Sequence, residues 1–299
     1  MPAPCSTASS VAGEPLIGSA PDALGWVCLE QNGPWGARAW TSSHLDPGLG
    51  AAIEAVAADH TVRPSLVRRP GRHADAHGPH TGGARHVLVA HSRPGASWLL
   101  AGVVADPADL LRLDWAAVAV GSAEAVQASI PSLAPALPQL LVCTNGTRDT
   151  CCARLGRPIA AAAAERFPGR VWEVTHTSGH RFAPTTVLLP SGSLHGRVLD
   201  AAPLLAAESE GRLVLAGYRG RSVWSTAAQV AEEHVRRSFD LTGLDDLTVA
   251  ASGADWRVSH RDGRRWTVRV TAYDDGERPE SCGKAVKPVT RRRADLVED

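Results

Sequence analysis

The 299-residue chain has no net charge at neutrality, with 31 basic side chains set against 31 acidic ones. No overall field therefore draws it to nucleic acid or to an anionic membrane. No apolar run approaches the roughly 20 residues that a membrane span requires. The opening residues, MPAPCSTASSVAG, lack the basic and apolar regions of a secretory signal, so a cytoplasmic protein is expected. Its six cysteines, Cys5, Cys28, Cys143, Cys151, Cys152 and Cys282, are too sparse for a disulfide framework in a chain this long. A Cys-x-x-Cys pair, a G-x-G-x-x-G nucleotide turn and a repeat of fixed period are all missing. No motif singles out the two carboxylates that glycoside hydrolysis usually needs. Phenylalanine is scarce too, with three against nine tryptophans.

What is present reads as alternating strands and helices, an α/β pattern. Strands are expected at the end of 13–30, at 64–69, 85–91 and 97–104, and an alanine-rich helix at 50–60. The loop 70–83 holds His73, His77 and His80, but its Gly, Pro and Asp content fits a solvated loop better than a metal site. Three prolines within 131–138 (PSLAPALP) suggest a linker. Beyond it, strands are expected at 140–144, 171–175, 185–189 and 194–199. Helices are expected at 158–167, with Pro158 at its first position, and at 227–238. The remainder shows one clear strand, 266–272. Arg291, Arg292 and Arg293 are balanced by Asp295, Glu298 and Asp299 in a charged end. The expected division is an N-terminal α/β domain of unknown role (1–135), a second α/β domain (136–240) and an extension (241–299).

Three of the six cysteines fall within ten residues, in CTNGTRDTCC (143–152), and HTSGH (176–180) follows. Asp149 is a good N-cap residue. A helix starting there would set the neighbouring thiols beside free N–H groups that favour thiolate. Gly146 would let the backbone approach an anion. The gaps are longer than those of a zinc finger, although other zinc loops remain possible. Cys143 and Arg148 are separated by four residues, one fewer than a phosphate-binding cysteine loop wants. Adjacent Cys151 and Cys152 point in different directions, so at most one should join a site. Between the histidines, Thr-Ser-Gly makes a tight turn that can bring both imidazoles to one point. Spacing alone thus leaves open an iron site, a structural zinc site and a thiol-dependent oxidoreductase.

The stretches CTNGTRDTCCARLGRPIA, VWEVTHTSGHRFAPTTVLLPSG, HGRV, and YRGRS followed by AQVAEEHVRR resemble the sucrase/ferredoxin-like family. Weaker likenesses, CSTASSVAGEPLIGSAP, GPWG and RPESCGK, extend the resemblance over almost the whole chain. It implies that 136–240 is a thioredoxin-like ferredoxin domain with a mixed sheet, binding a [2Fe–2S] cluster through Cys143, Cys152, His176 and His180. Cys152 rather than Cys151 is implied because relatives often carry a non-cysteine followed by Cys-Gly. Here Ala153 replaces that glycine, and Ser178 stands where many relatives have glycine. Two neutral imidazoles in place of thiolates would raise the potential and make it pH-sensitive. The expected protein is an electron carrier rather than a self-contained enzyme, served by a separate flavin- or nicotinamide-dependent reductase. Arg181, Arg197, Arg219 and Arg221 are candidates for its docking patch. Cys28 reads as a buried small hydrophobe, and Trp172 as core or as a water shield beside the histidines.

Overall fold

A computed structural model describes residues 4–71, 78 and 82–297; His73, His77 and His80 lie outside them. In chain order the elements are α1 (Cys5–Val11), β1 (Gly25–Glu30), α2 (Ala39–Ser42), α3 (Pro47–Asp59), β2 (Val62–Arg68), β3 (Arg85–His91), β4 (Trp98–Val104), α4 (Trp115–Val120), α5 (Ala123–Ser129), β5 (Ala134–Pro135), β6 (Gln139–Cys143), α6 (Thr150–Arg166), β7 (Val171–Val174), β8 (Thr186–Leu189), β9 (Ser193–His195), α7 (Ala202–Ser209), β10 (Tyr218–Arg221), α8 (Thr226–Ser238), β11 (Leu247–Ser252), β12 (Asp255–His260), β13 (Arg265–Pro279) and β14 (Val286–Val297). Among the described residues, no helix is long and apolar enough to cross a membrane.

The fold is mixed α/β. One ten-stranded sheet runs β10-β9-β8-β6-β7-β2-β1-β3-β4-β5, and β11–β14 form a separate antiparallel sheet. The large sheet contains the same motif twice. β1 and β2 are parallel across α3, and β3 and β4 add antiparallel on the far side of β1. β6 and β7 are parallel across α6, and β8 and β9 add in the same way beside β6. The two units meet antiparallel, with Val67 opposite Val174 and Arg68 opposite Glu173. Arg68 Nε and Nη2 donate to Glu173 Oε2 at 2.9 and 2.8 Å, and Thr144 Oγ1 donates to the same oxygen at 2.8 Å.

Both faces of the central strands are covered, so β1 and β6 read as continuous apolar runs, not alternating ones. Leu140 and Val142 pack against Ala160 and Ala163 of α6, while Leu141 and Cys143 join the core on the opposite face. That burial explains why α6 runs from Asp149 straight through Pro158, and does not begin there. Proline removes one helical hydrogen bond, but the flanking contacts with β6 hold the helix together. Cys28 is fully buried as expected, and burial pushes its thiol up to about 12.

Other departures from the expected elements have similar causes. α4 and α5 are short, capped by Asp114 and Ser122, and carry little periodic signal. Ala134 and Pro135, within the proline-rich stretch, pair as an edge strand with β4. Among the described residues beyond 240 there are four strands. Three of them were obscured by charged, half-exposed residues, and their core is Leu247, Val258 and Val268 packed on α8.

His195 in β9 is fully buried. Its Nε2 lies 2.8 Å from the Val214 carbonyl, and its Nδ1 has no partner. Burial lowers its pKa from 6.5 to about 4, with Arg219 adding repulsion. The unfolded chain therefore binds a proton that the native state rejects between those values. Stability is complete above about pH 6.5 and falls towards pH 4, by about 3 kcal/mol in total. Urea midpoints at pH 7 and pH 4.5 should show this fall, and His195→Gln should flatten it. An equally steep pH dependence in the variant would refute the assignment.

Candidate metal centre

The residues singled out in the sequence gather at the end of β6 where α6 starts. Cys143 closes β6, and its N–H donates to Thr185 O at 2.9 Å. Asp149 caps α6 by accepting the Cys151 N–H at 2.9 Å. This cap places Cys151 and Cys152 in the first turn. The Cys152 thiol hydrogen-bonds to Cys143, which lowers the Cys143 pKa. Burial opposes the shift, but N–H groups of Asn145 and Thr177 and the Thr177 hydroxyl reinforce it, and Cys143 settles at about 7. The same pairing, with burial, pushes Cys152 up. Cys152 Sγ also lies 3.5 Å from His180 Nδ1.

His176 follows β7, and His180 opens a short 3-10 turn ending at Phe182. Their rings stack with centroids 4.2 Å apart and planes 23° apart. The turn between them uses two left-handed residues, Ser178 and Gly179, both at φ 66°. Gly179 adopts this φ freely. Ser178 does not, and it is held there by Arg219. The buried Arg219 guanidinium donates from Nη1 to Ser178 O at 3.3 Å and from Nη2 to Ser178 Oγ at 3.2 Å, while its Nε reaches Ser19 Oγ at 3.0 Å. Both imidazoles are biased to the neutral form that ligates metals. Burial brings His176 down to about 2, with His180, Arg63, Arg148 and Arg219 contributing. Burial also lowers His180, although Asp149 opposes the shift.

Cys151 faces the other way. Its Sγ lies 3.3 Å from Cys282 Sγ and 3.9 Å from Cys5 Sγ, and Cys282 and Cys5 are 3.4 Å apart. Cys5 Sγ is 3.4 Å from Asp149 Oδ2. The donor atoms of Cys5, Asp149, Cys151 and Cys282 all lie within 4.8 Å of one another, and this group could hold a metal ion. Burial alone would raise Asp149, but the Cys282 N–H, the Ser281 hydroxyl and the Cys151 N–H keep it below the usual range.

Sequence reasoning had no role for Cys5 or Cys282. The only available signal was that both sit in the segments with a weaker likeness to the family, CSTASSVAGEPLIGSAP and RPESCGK. Two other expectations change, and a third takes its default. Arg219 and Arg221 are 0% and 1% exposed, so they cannot form a surface patch. Gly146 is required by packing, since a Cβ there would sit 2.8 Å from Ala153 Cβ. Trp172 is a core residue, with its indole N–H on Gln139 Oε1 at 2.9 Å and Arg69 stacked over its ring.

A wide cleft opens over the histidine turn, lined by Arg148, His176, His180, Arg181, Lys284 and Lys287. These last two are the only lysines in the sequence.

The family model described as sucrase/ferredoxin-like matches residues 16–237. The chain belongs to the sucrase/ferredoxin-like family. The match covers all four of Cys143, Cys152, His176 and His180. It stops short of Cys5 and Cys282, so the resemblance is narrower than the terminal segments suggested. No curated protein and no solved structure matches the chain.

Proposed function

We propose that this family member is an electron-transfer protein that binds one [2Fe–2S] cluster through Cys143, Cys152, His176 and His180. The observation that carries the reading is the donor set: two thiols in contact, facing two stacked neutral imidazoles, gathered where β6 and β7 end and α6 begins. When bound, such a cluster supplies a one-electron redox couple.

The chain's own residues supply the rest. N–H groups of Asn145 and Thr177 and the Thr177 hydroxyl stabilise Cys143 as a thiolate. Arg219 places a buried positive charge beside both cysteines, which favours the added electron. Imidazoles in place of two thiolates leave the centre less negative. The comparable change in Rieske centres moves the potential from about −400 mV to between about −150 and +300 mV. A relatively high, pH-sensitive potential is expected here. The electron would come from a separate flavin- or nicotinamide-dependent reductase. The cleft with Arg148, Arg181, Lys284 and Lys287 offers an acidic partner a landing site within reach of His176 and His180.

The test is colour and iron. Wild-type protein should be brown and hold two irons per chain. Cys143→Ser and Cys152→Ser should lose both properties, whereas Cys151→Ser should keep them. Colourless, iron-free wild-type protein after anaerobic purification would reject the reading. Loss of iron on Cys151→Ser but not on Cys152→Ser would reject the ligand choice. One observation favours a second reading, a thiol-dependent oxidoreductase: Cys143, at about 7 beside the thiol of Cys152, has the acidity of a reactive cysteine. It ranks second because both sulfurs are buried.

A further inference from the structure

The second cluster of thiols lies outside this proposed iron site, and most of it lies outside the family match. Cys5 starts α1, Cys151 sits in the first turn of α6, and Cys282 lies in the turn between β13 and β14. Cys5 and Cys151 are 1% and 5% exposed, and Asp149 is 3% exposed. Three thiols from three remote segments therefore meet a buried carboxylate. As neutral groups they make a poor core. S–H is a weak donor and sulfur a weak acceptor, and a carboxylate buried among them needs positive charge.

We propose that Cys5, Cys151, Cys282 and Asp149 bind a single zinc ion, which clasps the two ends of the chain to the start of α6. The distances select one ion. Tetrahedral zinc, with Zn–S of about 2.3 Å and Zn–O of about 2.0 Å, puts sulfurs about 3.8 Å apart and a sulfur about 3.5 Å from the oxygen. The observed sulfur separations are 3.3, 3.4 and 3.9 Å, and Cys5 Sγ lies 3.4 Å from Asp149 Oδ2. A multi-iron cluster, whose cysteines sit on different irons, needs a wider ring. A disulfide needs sulfurs at about 2.05 Å and would leave the third thiol beside the carboxylate. Thiolate-rich tetrahedral sites favour zinc.

The surroundings are built as outer shells of metal sites are. Ser6 Oγ donates to Cys151 Sγ at 3.3 Å. Asp149 Oδ2 is oriented by Ser281 Oγ at 2.7 Å and by the Cys282 N–H at 2.9 Å, and Oδ1 by the Cys151 N–H. Arg181 supplies nearby positive charge to Cys5. A second tie runs parallel to the first. Buried Glu14, just after α1, is bonded to Arg181 at 2.8 Å and to Arg291 of β14. The clasp thus fixes α6 one residue before Cys152 and closes two long loops, the situation in which a metal clip has the most chain entropy to remove.

The zinc assignment does not rest on the iron reading, and metal analysis of the full-length protein separates them. Protein purified under reducing conditions without added metal should carry one zinc per chain. X-ray absorption at the zinc edge, on the unmodified chain, should show three sulfurs and one lighter atom. Cys5→Ser and Cys282→Ser should each lower zinc at least tenfold and leave iron unchanged, and Cys152→Ser should retain zinc. Wild-type protein without stoichiometric zinc overturns the proposal, as does iron at this position. So does a shell of two sulfurs and two nitrogens that disappears in Cys152→Ser, or a disulfide among the three cysteines in the reduced protein.

Discussion

Arg219→Gln should lower the reduction potential of the proposed cluster by on the order of 100 mV. Arg219 is fully buried and acts electrostatically on both Cys143 and Cys152. Burial lowers its own pKa to about 9, with repulsion from Arg181 and Arg63, so it remains cationic at neutral pH. A unit charge several ångströms away, at an effective dielectric of about 20, contributes on the order of 2 kcal/mol, or about 100 mV for one electron. Reduction adds negative charge, so removing the cation disfavours it. The same change removes the bonds to Ser19 and Ser178 and frees the turn between the histidines. Arg219→Lys separates the two roles. It should keep most of the potential, because the charge stays, yet lose stability, because lysine lacks the planar fork. Voltammetry beside urea unfolding reads both effects. An Arg219→Gln protein with an unchanged potential would show that the charge is screened from the centre.

Gly156→Ala should destabilise the protein and empty the site, against the ordinary effect of alanine in a helix. On propensity alone the change gains about 1 kcal/mol. Gly156, however, lies where α6 crosses the end of β6, and a Cβ there would sit 2.3 Å from the Cys143 carbonyl oxygen. A backbone oxygen cannot swing away as a side chain can. The helix must therefore move off the strand, at a net cost of about 1–3 kcal/mol. That movement separates Cys152 from Cys143, the pair on which the proposed iron site depends. Lower urea midpoints and loss of visible absorption are the expected readouts. A variant as stable and as brown as wild type would show that the helix tolerates the shift.

Much of the candidate site was legible because its residues are close in sequence and sit on strong local signals. Asp149 announces the start of α6, β6 is a pure apolar run ending in Cys143, and Thr-Ser-Gly marks the histidine turn. The start of α6 was read both at Asp149 and at Pro158, and burial of Gly156, Ala160 and Ala163 decided for the former. What could not be read is what depends on distant segments meeting. Arg219 has the same local signature as a surface arginine, and only the fold buries it against Ser178. The doubled β-α-β-β-β motif leaves no sequence repeat, because only the pattern of burial recurs. Cys143 ends β6, whereas Glu30 ends β1. The strands beyond residue 240 alternate weakly, with one face on α8 and the other in water. Cys5 and Cys282 had no readable role for the same reason: they meet Cys151, Asp149 and each other only in the fold.

Chain order also separates the two groups of cysteines in time. As the chain leaves the ribosome, every donor of the proposed iron site emerges between residues 143 and 180, and Thr185 and Arg219, which hold its strand and turn, follow before residue 220. The Cys5 group cannot close until residue 282 emerges. Until then Cys5 and Cys151 lack their third thiol. Every donor and support of the proposed iron site is thus made before the Cys5 group can close.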